Sequence, residues 1–259
     1  MKITQITNKK TYTLLTSESG KSILVSPDYV QRASLYIGSE INTNSCFDDN
    51  KEFLRQFAMD CALNYISYCD RTEEQIRQHL KRKKLPEIII LPVIEKLKEY
   101  RYADDARYAS LYIESAKLSS KGKRLTASKL KQKGIDAAVL DQALESYSEE
   151  DERNGAEEFI KKQNQILHQH PPAIRKEKIL RQAVMRGYSS SLIYDILQAY
   201  VDDDQDYREY YTKLIDKKAL AYYQKGIGQQ AATTKLIAYF LPKGASKDLI
   251  NERVLKIFH

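Results

Sequence analysis

The feature that most constrains the fold of this chain is a short motif that recurs at intervals of about 50 residues. In each copy, a basic residue and a glycine are followed by one further residue and then by Asp or Ser. Glycine tolerates the left-handed backbone that ends many helices, and Asp or Ser caps the start of the next helix. Each copy therefore predicts two helices joined by a tight turn. The copies are Lys133-Gly134-Ile135-Asp136, Arg186-Gly187-Tyr188-Ser189 and Lys243-Gly244-Ala245-Ser246.

The helix after each glycine carries the same apolar pattern. An apolar pair lies five and six residues beyond the glycine, and another apolar residue lies ten beyond it. This spacing places them on one helix face, so each of these helices is expected to pack in the same way. The residues are Val139, Leu140 and Leu144, then Leu192, Ile193 and Leu197, then Leu249, Ile250 and Val254.

A looser version of the unit precedes these three copies. Thr72-Glu73-Glu74-Gln75 has the form of a capping box that opens a helix, and Leu85-Pro86 stands in place of the glycine turn. Pro92 is too far along for a first-turn position, so it either kinks the next helix or delays its start. The sequence thus predicts four three-helix repeats. Their limits are placed at about 51–103, 104–149, 150–201 and 202–259.

Acidic runs mark the predicted borders between repeats. They are Asp104-Asp105, Glu149-Glu150-Asp151-Glu152 and Asp202-Asp203-Asp204-Gln205-Asp206. The helix dipole favours negative charge at a helix start, so each run indicates a new helix. Repeats of this kind bury their apolar faces against their neighbours. The predicted architecture is mainly α, with the repeats in an extended, curved array.

Residues 1–50 have a different character and are predicted to form a small β-rich cap. Their β-branched and aromatic segments predict two or three short strands, with a turn at Ser17-Glu18-Ser19-Gly20. Ser26-Pro27 has the form of a helix cap and first helical position, which predicts a short helix to about Ala33. Because so few strands are rarely stable alone, this cap should pack on the helices that follow.

Composition excludes several classes of protein. No apolar run approaches the ~20 residues that span a bilayer, and the first residues lack the apolar stretch of a secretory signal, which predicts a soluble cytoplasmic protein. The three cysteines have no metal-like spacing and are expected to be reduced, and the histidines have no ligand partners at useful spacing. We expect no cofactor and no metal. The cysteines are Cys46, Cys61 and Cys69, and the histidines are His79, His168, His170 and His259.

Net charge points to a polyanionic partner. The chain carries a formal charge of +7 and has a pI of about 9.0, and its cations are grouped, as in proteins that follow phosphates or acidic surfaces. A solvated helix face is the alternative interpretation for any single lysine. For the segment from Lys121 to Arg124, predicted to lie in a loop, binding is favoured. The candidate binding residues are Lys81, Arg82, Lys83 and Lys84, then Lys121, Lys123, Arg124, Lys129, Lys131 and Lys133, then Arg175, Lys176, Arg181 and Arg186.

Other chemistry-bearing residues have simpler interpretations. Asp104-Asp105 could be a metal or catalytic pair, but capping of a helix start explains them better. No nucleophile, base and orienting group occur together, so the protein is expected not to be an enzyme. A set of tyrosines in the first two repeats could stack on bases, but their helical spacing favours core positions. These are Tyr65, Tyr68, Tyr100, Tyr102, Tyr108 and Tyr112.

Several segments between Ala62 and Tyr147 keep a characteristic order and spacing. They are Ala62–Tyr68, Arg71-Thr72-Glu73, Val93–Leu97, Tyr102–Ala109, Lys121–Leu125 and Leu130–Ile135. In these segments the chain resembles the RecX family of recombination regulators. Two departures stand out. The family often has glycine where this chain has Arg101, and residues 202–259 exceed the three repeats of the shortest members.

The resemblance implies a definite activity. RecX-like proteins bind RecA, in particular its filament on single-stranded DNA, and they curb ATP hydrolysis, strand exchange and filament growth. They thereby modulate DNA repair and the SOS response. For this chain it implies that RecA and its filament are the partners. We expect a monomer and no membrane partner, and weak direct binding to DNA is left open.

Two other functions compete with this one. A helix-turn-helix transcriptional regulator would need one recognition helix that carries base-reading side chains, whereas the cations here are spread over several repeats. A generic helical scaffold for protein partners is the third hypothesis.

Overall fold

Helices dominate the computed structural model, which describes residues 1–200 and 206–258. The described strands are β1 (Ile3–Asn8), β2 (Thr13–Ser17) and β3 (Ser22–Val25). The described helices are α1 (Pro27–Arg32), α2 (Thr43–Ile66), α3 (Glu73–Arg82), α4 (Glu87–Glu99), α5 (Asp105–Leu118), α6 (Lys123–Gln132), α7 (Ala137–Leu144), α8 (Glu149–Ile166), α9 (Pro172–Met185), α10 (Ser190–Tyr200), α11 (Arg208–Gln224), α12 (Gln229–Phe240) and α13 (Lys247–Phe258).

Two compact units make up the chain. The amino-terminal unit comprises Met1–Tyr112 and Ser128–Ser146, and the carboxy-terminal unit comprises Ile113–Ala127 and continues from Tyr147. In the amino-terminal unit, α2, α3 and α4 share one apolar core. In the carboxy-terminal unit, α8 to α10 share a second core and α11 to α13 a third. The predicted mainly α organisation in tandem three-helix groups is confirmed.

The predicted amino-terminal cap is a three-stranded antiparallel sheet in the order β1-β2-β3. One face of the sheet packs in a small cluster that includes Leu15 and Val25, together with Cys46 from α2. Leu24, which points to the opposite face, joins the core of the following helices. The cap therefore packs on those helices, as expected for so small a sheet.

Helix α2 begins earlier than the predicted border at residue 51. Asn42 caps it, because its side-chain oxygen accepts hydrogen bonds from the backbone amides of Asn44 (2.9 Å) and Ser45 (3.4 Å). Asn50 is buried inside the helix, where it accepts from the amide of Ser26 at 2.9 Å and donates to the carbonyl of Cys46 at 2.8 Å. A border near residue 51 therefore falls inside a continuous helix.

The glycine turns have the predicted geometry. Gly134, Gly187 and Gly244 have φ angles of 83°, 93° and 95°, in the left-handed region. The next helix is capped each time by the predicted residue: Asp136 accepts from the amide of Ala138, Ser189 from that of Leu192, and Ser246 from that of Leu249. The capping box of Thr72 and Gln75 is also present.

The first helical group makes its turn without glycine. Lys84 takes the left-handed position there, with a φ of 65°. Helix α4 then begins directly at Glu87, so Pro92 lies inside the helix and does not delay its start.

Acidic residues at helix starts act in more than one way. Asp104 caps α5 by accepting from the amide of Arg107 at 2.8 Å, whereas Asp105 accepts from the amide of Glu73 at the start of α3. Ser148 and Asp151 form a capping box on α8. Asp206 accepts from the amide of Arg208 at 2.8 Å. The remainder of the third acidic run, Asp202-Asp203-Asp204-Gln205, lies outside the described residues.

Each glycine turn packs against the start of an earlier helix. In the amino-terminal unit, Thr72 donates to the carbonyl of Lys133 at 2.6 Å, and a Cβ on Gly134 would lie 2.3 Å from the Cβ of Glu74. In the carboxy-terminal unit, the amide of Gly122 donates to the carbonyl of Arg186 at 2.8 Å. A Cβ on Gly187 would lie 2.3 Å from the backbone nitrogen of Leu125. We call these contacts glycine joints.

A third glycine joint follows the same pattern. Tyr211 donates to the carbonyl of Lys243, and the Lys243 side chain pairs with Glu177 on α9 at 3.0 Å. A Cβ on Gly244 would lie 3.8 Å from that of Ala173, at the start of α9. The recurring motif thus does two things, because it turns the chain and provides the surface that contacts the previous helical group.

His170 links two helical groups in the carboxy-terminal unit. Its Nε2 lies 2.7 Å from the Lys178 ammonium, which can only donate, and its Nδ1 lies 2.9 Å from the Tyr210 hydroxyl. The ring is therefore neutral, with its proton on Nδ1. Burial lowers the pKa of His170, and the charges of Lys178 and Arg175 lower it further.

The lowered pKa of His170 predicts a loss of stability in acid. The unfolded chain binds a proton more readily than the folded one, so the contribution is present above the unfolded pKa and is lost as the pH falls towards the folded value. We expect the thermal midpoint to fall between about pH 7.5 and pH 5.5, and to fall less in His170→Gln. Thermal unfolding followed by circular dichroism checks this, and an equal fall in both proteins would contradict it.

Candidate functional site

The segment between α5 and α6 is the centre of the predicted binding surface. This basic loop, Ser119-Ser120-Lys121-Gly122, is held at three points within the carboxy-terminal unit. Arg186 donates to the carbonyls of Ser119 (3.0 Å) and Ser120 (3.2 Å), and its own carbonyl accepts from the amide of Gly122. The Tyr147 hydroxyl donates to the carbonyl of Lys121 at 2.6 Å. The loop is therefore fixed in position before any partner arrives.

The cations of this segment differ in their roles. Lys123 is the first residue of α6; its ammonium donates to the carbonyl of Tyr147 at 2.8 Å, and its amide to Glu152 at 3.3 Å. It therefore holds the start of α8 beside the loop. The predicted loop from Lys121 to Arg124 is shorter in the structure, because α6 begins at Lys123; Arg124 is exposed in the first turn of that helix, and Lys121 is half-buried in the loop. Of the three, Arg124 and Lys121 are better placed to meet a partner.

The remaining candidates of the second cluster belong to the amino-terminal unit. Lys129 and Lys131 are exposed on α6. Lys133 is half-buried, and its ammonium lies 5.6 Å and 5.8 Å from the ring centroids of Tyr108 and Tyr112. A cation over an aromatic face is stabilised by the ring quadrupole, so Lys133 is engaged within the protein.

The first basic cluster ends helix α3. Lys81, Arg82 and Lys84 are exposed, and Lys83 is half-buried. Lys81 pairs with Glu87 at 3.0 Å. Cations at this end of a helix are favoured by its dipole, so part of this cluster serves the helix itself.

Arg175 departs from the sequence prediction. It is only 4% exposed, and its guanidinium donates to Asn164 at 3.0 Å and to the Tyr207 hydroxyl at 3.4 Å. Burial removes it from the predicted binding surface. The spacing could have shown this, because Arg175 lies four and eight residues before the buried Ile179 and Ala183 on one face of α9. Arg181 is exposed, and Lys176 and Arg186 are half-buried.

Three tyrosines also depart from their predicted core positions. Tyr68, Tyr100 and Tyr102 are 86%, 60% and 56% exposed. They follow the ends of α2 and α4, so the helical periodicity that suggested burial does not apply to them. Tyr65 is half-buried and stacks on His79 with 4.2 Å between the ring centroids. Tyr108 and Tyr112 are also half-buried.

The described residues contain no group of three or more His, Cys, Asp or Glu side chains that could hold a metal ion. His259 is outside this part of the chain. Cys46, Cys61 and Cys69 are free thiols. No helix within residues 1–200 and 206–258 is long and apolar enough to cross a membrane.

Comparisons with known proteins agree on one family. The sequence profile described as "RecX, first three-helix domain" matches residues 58–97, and "RecX, second three-helix domain" matches residues 104–144. The chain is 32% identical over 198 residues to "Regulatory protein RecX" of Bacillus licheniformis, covering 74% of this chain and 73% of that protein. The protein of that name from Streptococcus pyogenes serotype M1 is 29% identical over 97% of both chains.

A solved structure has the same fold. "Crystal structure of regulatory protein RecX" matches with a TM-score of 0.53 and 26% identity, over 76% of this chain and 98% of that one. These comparisons and the fold identify a regulatory protein built from tandem three-helix groups. The chain belongs to the RecX family.

Proposed function

We propose that this protein regulates RecA by binding its filament on single-stranded DNA in the cytoplasm. There it inhibits ATP hydrolysis, strand exchange and filament growth, and so modulates DNA repair and the SOS response. It acts as a monomer without catalysis of its own, and the four repeats keep the limits predicted from the sequence, except that the first begins with α2. Membership of the RecX family supports this proposal, together with the basic loop.

The basic loop is the observation that carries the proposal. A loop whose backbone is fixed by Arg186 and Tyr147 loses little conformational freedom on binding, which favours affinity. Leu118 precedes Ser119 of the basic loop, Met185 precedes Arg186, and both side chains are largely exposed. Apolar side chains beside cations suit an acidic protein surface better than phosphates alone.

A duplex-reading regulator receives less support. Recognition helices that enter the major groove need side chains that reach base edges, most often Arg or Lys. Of the three helices that follow glycine turns, in the position of such helices, α7 and α10 contain neither residue, and in α13 the one arginine, Arg253, is paired with Asp216 at 2.6 Å. We therefore do not propose the helix-turn-helix function.

RecA that hydrolyses ATP on single-stranded DNA provides the test. Protein added well below the RecA concentration should slow hydrolysis and shorten filaments, because each bound molecule affects filament growth. Hydrolysis is followed by phosphate release and filament length by electron microscopy. If neither changes, the proposed function is wrong.

A further inference from the structure

Exposed aromatic side chains follow the ends of α2 and α4 in the amino-terminal unit. Tyr68, Tyr100 and Tyr102 project there into solvent, and the rings of Tyr100 and Tyr102 contact edge to face with centroids 6.3 Å apart. Large aromatic side chains normally bury most of their area, in the core or in an interface. Exposed together, they indicate a surface that a ligand covers.

Arginines lie beside Tyr102. Arg71, Arg101 and Arg107 line one shallow pocket with Tyr102 and Tyr108. Asp70 and Asp104 also line it, but the Asp104 carboxylate already accepts from the amide of Arg107 as the cap of α5. The pocket thus combines aromatic faces with an excess of guanidinium groups. We call this pocket, together with the adjoining Tyr100, the aromatic–arginine surface, comprising Arg71, Tyr100, Arg101, Tyr102 and Arg107.

Arg101 adopts an unfavourable backbone conformation beside Tyr102. Its φ is 57°, in the left-handed region, where a side chain other than glycine costs about 1–2 kcal/mol. Glycine would make the same turn without strain. The turn itself does not require an arginine at this position. A strained, exposed arginine beside exposed rings therefore indicates a role in binding.

We propose that the aromatic–arginine surface binds unpaired bases of single-stranded nucleic acid. Every base has a face that can stack on tyrosine, and guanidinium groups meet the phosphates between the bases. Duplexes hide those faces, so the surface selects single strands. This site is separate from the basic loop and acts without RecA.

A tryptophan reporter tests the proposal. The chain contains no Trp, so Tyr102→Trp introduces one indole at the surface. Adding oligothymidylate should quench its fluorescence, because stacked bases quench indole emission, whereas a duplex of equal length should quench it little. In the otherwise unchanged chain, Tyr100→Ala with Tyr102→Ala should weaken single-strand binding about 10-fold or more in an anisotropy assay, since stacking contributes about 1–3 kcal/mol per base.

Glycine variants separate binding from folding. Arg101→Gly relieves the strain and removes a guanidinium, so it should keep or raise the thermal midpoint while weakening single-strand binding. Ser34→Gly is the control for the relief of strain, because it also relieves a left-handed residue, at φ 48°, but lies outside this surface and outside the basic clusters. It should leave binding unchanged.

Several outcomes would overturn the assignment. They are an unquenched indole at saturating oligothymidylate, equal binding of the duplex, and full binding by the folded tyrosine variant. Loss of RecA inhibition by that variant with unchanged DNA binding would instead assign the surface to protein. Reversal of the charges of Lys121 and Arg124 should not alter the quenching, so this proposal and the RecA proposal can fail independently.

Discussion

Reversing the accessible charges of Lys121 in the basic loop and Arg124 at the start of α6 should abolish most of the inhibition of RecA. In Lys121→Glu with Arg124→Glu, the attraction between the loop and an acidic surface becomes repulsion. We expect the concentration that gives half-inhibition to rise about tenfold or more, since about 1.4 kcal/mol of lost binding free energy corresponds to a tenfold change. The measurement is ATP hydrolysis by RecA on single-stranded DNA over a range of protein concentrations.

Lys123 is left unchanged in this experiment, because its ammonium holds the carbonyl of Tyr147 and its loss would confuse binding with stability. Lys162→Glu with Lys217→Glu is the matched control. These lysines are exposed on α8 and α11, and the double reversal changes the net charge by the same amount. Inhibition should survive in the control. Equal loss in both variants would mean that total charge matters and the loop does not.

Gly187→Ala should destabilise the protein strongly. The left-handed backbone costs a non-glycine residue about 1–2 kcal/mol, and overpacking adds typically about 1–3 kcal/mol, which gives about 2–5 kcal/mol in total. The new Cβ would lie within 2.3 Å of a backbone nitrogen at Leu125, and a helix backbone cannot move aside as a flexible side chain can. Urea unfolding followed by circular dichroism measures the change in the free energy of unfolding.

Gly226→Ala provides the matched control. Gly226 also has a positive φ, 70°, but a Cβ there would meet no atom within 4 Å. The control should lose only the strain of about 1–2 kcal/mol. A similar loss in the two variants would show that backbone strain, and not the glycine joint, explains the role of Gly187.

The sequence predicted local structure better than it predicted burial. The turns at Gly134, Gly187 and Gly244 and their caps depend on one residue's φ and one side-chain oxygen, both of which are evident in the sequence. Arg175 was misplaced because a cation normally indicates a solvated face, and only partners distant in sequence, such as Tyr207, allow it to be buried.

Tertiary context also decided which tyrosines are exposed. Tyr100 and Tyr102 continue the apolar pattern of α4 in the sequence, but the helix ends at Glu99 and the turn at Arg101 rotates them outward. A glycine at position 101 would have predicted this turn, whereas an arginine at that position does not. Likewise, the sequence of one repeat does not predict that its glycine packs against the start of an earlier helix, because the two contacting segments are distant in the chain.

The glycine joint has a consequence for how such chains change in length over evolution. Each of the two middle three-helix modules, α5–α7 and α8–α10, brings both halves of the contact: the start of its second helix contacts the glycine turn of the module after it, and its own glycine turn contacts the module before it. A duplicated module would therefore find a compatible neighbour on either side without new substitutions. Members of the family could gain or lose whole modules by in-frame duplication or deletion, while the surviving contacts keep their form.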